Sequence, residues 1–221
     1  MLLAIDTATR TYGIALHDGE RVVAEEVWRG PGHATSDLPP EVARLMLRAQ
    51  VSPRDLQGIA VAQGPGSFTG LRIGLALAKG LSFVRRLPLI AIPTHDILVA
   101  GLPSRKEPLL ALVEAGRGRA AGRTYQWRAG RWQPTAEPEV RSWTGWWDSL
   151  EEPTWVCGEI EAEFRAAARA KRWVTLADPS QCVRRPAVLA ELAWGRLADS
   201  DPSDAAGVTP LYIDTPAEKT G

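Results

Sequence analysis

The stretch QGPGSFTGLRIGLALAKG, from Gln63 to Gly80, sets three glycines and a proline in its first eight residues before an apolar helical pattern begins. A glycine-rich turn between a buried strand and a helix exposes backbone N–H groups at the positive end of the helix dipole, which is how many proteins hold phosphate. The stretch lacks the Gly-Lys-Ser/Thr ending of a P-loop, however, and Gly64, Gly66 and Gly70 do not fit Gly-x-Gly-x-x-Gly. A serine nucleophile at Ser67 would need Gly-x-Ser-x-Gly, where Pro65 and Thr69 stand instead, and it would need a base. The three histidines, His17, His33 and His95, are at least sixteen residues apart, so no helical pair is available for a metal and none has an evident acidic partner. Cys157 and Cys182 stand alone, without a Cys-x-x-Cys or a neighbouring histidine, and are expected as buried, reduced thiols.

A packing role accounts for more of these residues. Gly70, Gly74 and Ala78 recur at i, i+4, i+8 and make a stripe with almost no side chain, flanked by Leu77 and Leu81. Glycine inside a helix costs about 1 kcal/mol against alanine, so two such glycines and a third at Gly80 imply a compensating close approach. The expected neighbour is another helix backbone, in this chain or in a second one.

The elements that must position this stretch follow from pattern and punctuation. LLAI ends at Asp6, a short apolar strand delivering a carboxylate at its C-terminal end. YGIALHDGERVVAEEVW reads as two strands joined at Asp18-Gly19, a dipeptide suited to a two-residue hairpin turn. SDLPPEVARLMLRAQ predicts a helix capped by Ser36 or Asp37, with prolines in its first turn and Leu38, Val42, Leu45, Met46 and Ala49 on one face. GIAVAQ is a buried strand leading into the glycines, the helix after it ends near Arg85-Arg86, and LPLIAIP is another strand. Strands linked through helices imply parallel pairs and the opening meander adds antiparallel ones, so the sheet is mixed.

AGLPSRKEPLL marks a boundary, giving domains 1–101 and 102–221. The second half reads as a strand (LLALVEA), a hairpin turning at Ala129-Gly130, a short helix (SWTGWWDSL), a strand (TWVCG), a helix (EIEAEFRAAARAKR), a last helix opened by Pro186 and an extended TPLYI. With Lys plus Arg and Asp plus Glu both at 26, the chain carries no net field that would draw nucleic acid or an anionic membrane. No run approaches a membrane span and the N-terminus lacks a basic, apolar leader, which suggests a cytoplasmic protein.

LLAIDTAT, the HAT of residues 33–35, QGPGSFTGLRIGLALAKGL, IPTHDILVA and the terminal TPLYI together closely resemble the bacterial TsaB (YeaZ) family of tRNA threonylcarbamoyladenosine biosynthesis proteins, well over the first 100 residues and loosely beyond. The resemblance implies an actin-like, sugar-kinase-type α/β fold of two ribonuclease H-like domains with mixed sheets. It implies a degenerate relative of the transferase TsaD, which carries a metal-binding histidine pair that this chain lacks. The implied role is a non-catalytic scaffold, with TsaD and the ATPase TsaE as partners, a homodimer when alone, tRNA met through the complex, no cofactor of its own, and ATP and Mg at the level of the complex. Carried onto this sequence, the family's helix bundle is Leu38, Val42, Leu45, Met46 and Ala49 with Gly70, Gly74, Leu77, Ala78 and Leu81. The Asp-x-Gly-Ser/Thr of ATP-using relatives is here Asp6-Thr7-Ala8-Thr9, without the glycine. An ATP-binding enzyme with Asp6, Thr7, Gly66 and Ser67 at a nucleotide or anion remains the alternative, and a peptidase a weaker one. Where relatives have Asp-Ala-Arg early in the second domain, this chain reads VEAGRGRAAGRTYQW. Arg117, Arg119 and Arg123 are thus expected on a basic loop, placed either to touch tRNA phosphate or simply to be solvated.

Overall fold

The computed structural model describes residues 1–30, 34–116, 118–198 and 202–213, in two compact units. The first is Met1–Gly101 together with Arg184–Leu211, and the second is Leu102–Val183 with the chain from Tyr212 on.

In the first unit β1 (Leu2–Asp6), β2 (Thr11–His17) and β3 (Val22–Arg29) form the expected antiparallel meander. The β2–β3 connection spans four residues rather than two. Asp18 closes it by accepting the N–H groups of Glu20 and Arg21, each at 2.9 Å, and an Arg21 side-chain bond, which together pull its carboxyl down to about 2. Helix α1 (Ala34–Arg48) starts before the expected cap, so Pro39 and Pro40 lie in its second turn instead of its first. Then come β4 (Gly58–Gly64), α2 (Phe68–Arg85), β5 (Leu89–Pro93) and α3 (Thr94–Ala100). The sheet order is β3-β2-β1-β4-β5, with β1, β4 and β5 mutually parallel. β1 is buried at every position, as a central strand covered on both faces should be, whereas β3 at the edge is only half-buried.

The second unit holds β6 (Leu109–Glu114), β7 (Arg119–Arg128), β8 (Arg131–Pro134), β9 (Glu139–Ser142), α4 (Trp143–Asp148), β10 (Thr154–Gly158), α5 (Ala162–Arg169) and β11 (Val174–Leu176). Its sheet runs β11-β10-β6-β7-β8, with β9 also on β7. Ala129 and Gly130, at φ of 49° and 77°, make the two-residue turn that their types suit. β9 and β11 are too short for their patterns to stand out, and α5 is shorter than the Ala- and Glu-rich run suggests. Cys157 and Cys182 are buried and free. Burial, and then the neighbouring Cys182, push the Cys157 thiol up, so it has no nucleophilic character.

The last helix, α6 (Pro186–Leu197), corrects the boundary expected from sequence, because it returns to the first unit. Leu189, Ala190 and Ala193 pack with Leu2, Ala4, Ala60 and Ile97, covering one face of the first sheet. α1 and α2 cover the other face, where Leu38, Val42, Leu45 and Leu75 meet Leu3, Ile5, Ile14 and Val61. Residues 209–211, the start of the terminal TPLYI, lie beside the end of β4, where the Leu211 N–H donates to the Gln63 carbonyl at 2.8 Å and the Gln63 amide donates to the Thr209 carbonyl at 3.0 Å.

Candidate functional site

Two places in the first unit gather the residues singled out from sequence. The first is the turn after β1. Asp6 is buried, and its Oδ1 accepts the Ala8 N–H at 2.9 Å, closing the turn as an Asx-type cap. Its Oδ2 accepts from Arg184 Nε at 2.8 Å, and Arg184 Nη2 donates to Thr9 Oγ1 at 2.9 Å and to the Thr11 carbonyl at 3.1 Å. Both side chains of the pair are 2% exposed. Arg184 stands 178 positions from Asp6 and was not visible as a partner in sequence.

The glycine turn closes on the same segment. The Ser67 N–H donates to the Ala8 carbonyl at 2.6 Å, and Ser67 Oγ accepts the Gly70 N–H at 3.2 Å as the cap of α2. Thr7 Oγ1 donates to the Gly70 carbonyl at 2.7 Å. Thus Asp6, Thr7, Gly66 and Ser67 do come together, but Asp6 bonds Ala8 and Arg184, Thr7 bonds Gly70, Ser67 bonds Ala8 and Gly70, and Gly66 packs against the Ala8 carbonyl. The Ser67 hydroxyl serves as a helix cap. His17 is buried and its Nδ1 accepts the Gly19 N–H at 3.0 Å, His95 is buried at the start of α3, and His33 lies outside the described residues. Among the described residues no three His, Cys, Asp or Glu side chains cluster as a metal site.

The second place is the α1–α2 face, where the structure corrects the expected surface. A Cβ at Gly70 would overlap the Thr7 carbonyl, and one at Gly74 would overlap the Thr7 hydroxyl and approach Ile5 at 3.6 Å. The small stripe is therefore spent on β1 and its turn, inside the chain, and not on another helix. Leu38, Val42, Leu45, Met46 and Ala78 are likewise buried in the core of this unit, while Ala49, Leu77 and Leu81 are half-buried against it. A helix has two faces, and sequence periodicity marked the inward one.

The outward face of α2 is also apolar. Phe68, Phe83 and Val84 are 53%, 86% and 78% exposed, and Leu47 on α1 is 78% exposed. Arg72 lays its guanidinium 3.6 Å above the Phe68 ring. Ala76 and Gly80 are exposed one turn apart, and a Cβ at Gly80 would meet nothing within 4 Å. Between the two helices runs a groove of about 530 Å³ lined by Leu38, Pro39, Phe68, Arg72, Ile73 and Leu77 among others.

The expected basic loop is mostly strand. Arg119 opens β7 and Arg123 lies within it, donating to the Ala136 carbonyl at 3.1 Å with its guanidinium 5.8 Å from the Tyr125 ring. Arg117 lies outside the described residues.

Residues 31–150 match the model of the TsaD family, tRNA N6-adenosine threonylcarbamoyltransferase. The chain is 32% identical over 152 residues to the tRNA threonylcarbamoyladenosine biosynthesis protein TsaB of Bacillus subtilis, covering 68% of this chain and 66% of that protein. It is 31% identical to TsaB of Escherichia coli over 148 residues, or 63% of each chain. These matches span just under two thirds of the relatives' own length. Among solved structures, a Pseudomonas aeruginosa protein described as similar to the peptidase YeaZ superposes with a TM-score of 0.75 at 23% identity, covering 96% of this chain and 99% of that one. Its fold is the same.

Proposed function

The chain belongs to the TsaD family, among its TsaB (YeaZ) members, and from that premise we propose that it is a non-catalytic subunit that docks on and activates the transferase TsaD in tRNA threonylcarbamoyladenosine biosynthesis. The observation that carries the reading is the outward face of α2. Ala76, Gly80, Phe83 and Val84 are exposed on the side turned away from the sheet, with half-buried Ile73 and Leu77 at its margin, where a soluble monomer would place charge. Ala76 and Gly80 would let a partner helix backbone come close, and the adjoining groove and exposed Phe68 and Phe83 would supply the buried apolar anchors. Among the described residues no atom stands within 4 Å of a Cβ at Gly80 to account for the glycine, and a docked helix would supply one.

A non-catalytic role is supported by the histidines, which offer no metal-binding pair in the sequence, and by the turn after β1, whose polar groups are already bonded to one another. On this reading the same face pairs two copies when TsaD is absent, TsaE and its ATP join at the level of the complex, tRNA is met through that complex, and the work is done in the cytoplasm. Arg119 and Arg123 remain the residues of this chain proposed nearest to tRNA.

The test is Ala76→Arg. Ala76 is exposed within its own chain, so the variant should keep the native circular dichroism and, at a dilution where both proteins are monomeric, the native melting midpoint. It should fail to co-elute with TsaD and should abolish threonylcarbamoyl transfer in a reconstituted reaction. Undiminished modification would remove this face from the mechanism. Gly74→Leu would be a poor test, since it would wreck the chain's own packing on Thr7.

A further inference from the structure

A carboxylate at the carboxyl end of a central strand, facing the N-terminus of a helix, is where an open α/β sheet holds a phosphate and its cation. The fold of this unit implies such a nucleotide–metal group, and the residues present do not fit it. The Asp6 carboxylate is bonded to Arg184, the Ala8 carbonyl sits on the Ser67 N–H at the head of α2, and at Gly66 even a Cβ would overlap the Ala8 carbonyl.

We infer that Arg184 is a resident cation: its guanidinium stands where a metal would neutralise Asp6, the Ala8 carbonyl stands where a phosphate oxygen would accept from the α2 N-terminus, and the chain thereby closes its own ligand site permanently. The charge arithmetic supports this. A carboxylate with 2% of its side chain exposed needs a counter-charge, and Arg184 brings one with donors to spare for Thr9 Oγ1 and the Thr11 carbonyl. The planar fork ties both sides of the turn, Asp6 at its start and Thr11 at its end, in one geometry. That turn also carries Thr7, on which Gly70 and Gly74 of α2 rest. The position of α2 is therefore set by groups of the chain itself, with no ligand to gain or lose.

The plug is delivered by the return segment. Arg184 precedes α6, in the stretch that comes back to the first unit after the second has been built. Residues 1–101 alone would leave Asp6 without its counter-charge. The inference goes beyond the docking reading and does not rest on it, because it concerns the opposite side of α2 and is read out on the isolated chain.

The experiment compares melting midpoints of the full chain with and without millimolar Mn²⁺, and with Mg-ATP, for the native protein, Arg184→Ala, and the double variant Asp6→Asn/Arg184→Ala. The native midpoint should respond to neither addition. Arg184→Ala should melt about 10 °C lower and regain several degrees with Mn²⁺, which enters the place of the lost cation. The double variant should melt higher than Arg184→Ala, because no uncompensated charge is left, and should ignore Mn²⁺. Should Arg184→Ala not fold, the double variant must still fold. Manganese broadening of the native Thr7 and Ala8 amide resonances provides the independent reading, and none is expected. Four results would each overturn the inference: native binding of Mn²⁺ or Mg-ATP at those amides, an Arg184→Ala midpoint equal to the native one, a destabilised Arg184→Ala that Mn²⁺ does not rescue, or a double variant no more stable than the single.

Discussion

Reading both sheets from the hairpin edge gives β3-β2-β1-β4-β5 in the first unit and β8-β7-β6-β10-β11 in the second, so β6 stands where β1 does and β10 where β4 does. Each central strand ends in a carboxylic residue, Asp6 or Glu114, followed by four residues before the next strand. From there the units diverge. The turn after Asp6 is pinned by Arg184 and by the head of α2, while the turn after Glu114 is held by its own backbone, Ala115 N–H to the Arg119 carbonyl and Arg119 N–H to the Gly116 carbonyl. Gly116 and Gly118, at φ of 71° and 68°, face open space.

The covering layers differ in the same sense. α2 runs 18 residues and rests on β1 and its turn through Gly70 and Gly74, whereas α5 has 8 residues and buries only Ala168. In place of a long helix the second sheet is filled with tryptophan. Trp143, Trp146 and Trp147 of α4 are all buried, and Trp146 donates its indole N–H to the Ala120 carbonyl at 2.9 Å. One strand order thus accepts either a close small-residue contact or a thick aromatic one. The close contact leaves a long helix with an entire outer face to offer.

That contrast can be broken at its tightest point. Gly70→Ala puts a Cβ into the Thr7 carbonyl, a backbone atom held between Asp6 and α2, so the turn or the helix must shift. The expected loss is about 3 kcal/mol, seen as a melting midpoint roughly 6–12 °C lower. Native-like stability would show that the helix does not need this approach. On the second sheet Gly122→Ala meets the Trp146 ring, which can rotate away at the cost of its bond to Ala120. About 2 kcal/mol should be lost, with a change in the near-ultraviolet dichroism of the indoles; an unchanged spectrum would mean that the ring is not held by Gly122.

How much of this could be read beforehand depended on the range of the interaction. The opening meander, the end of α2 at Arg85 and the turn at Ala129-Gly130 are set by residues within a few positions of one another, and the sequence shows them. The stripe of Gly70, Gly74 and Ala78 was legible as a close approach, but periodicity does not say what approaches, and the neighbour proved to be Thr7. The apolar face of α1 was legible as a buried face, and its assignment to a partner failed because the chain's own sheet fills it first. The Asp6–Arg184 pair joins distant segments with no motif between them, and α6 carries no local mark of the sheet it will cover. Arg119 and Arg123, expected on a loop because VEAGRGRAAGRTYQW departs from the relatives' pattern, lie instead on β7, whose Gly122 admits the Trp146 ring.

The smallest expected effect is the most discriminating, because Gly80 lies on the same helix as Gly70 and faces the other way. Among the described residues nothing stands within 4 Å of a Cβ at Gly80, so Gly80→Ala removes the conformational cost of an interior glycine without adding a clash there. Measured at a dilution where the chain is monomeric, the variant should gain about 1 kcal/mol and melt roughly 2–4 °C higher. If that face receives a partner helix, the added methyl lies in the closest part of the contact and binding to TsaD should weaken although the monomer is more stable. A rise in midpoint with unchanged affinity would leave Gly80 without a function and move the contact toward Phe68 and the groove. A fall in midpoint would mean that Gly80 packs within its own chain after all.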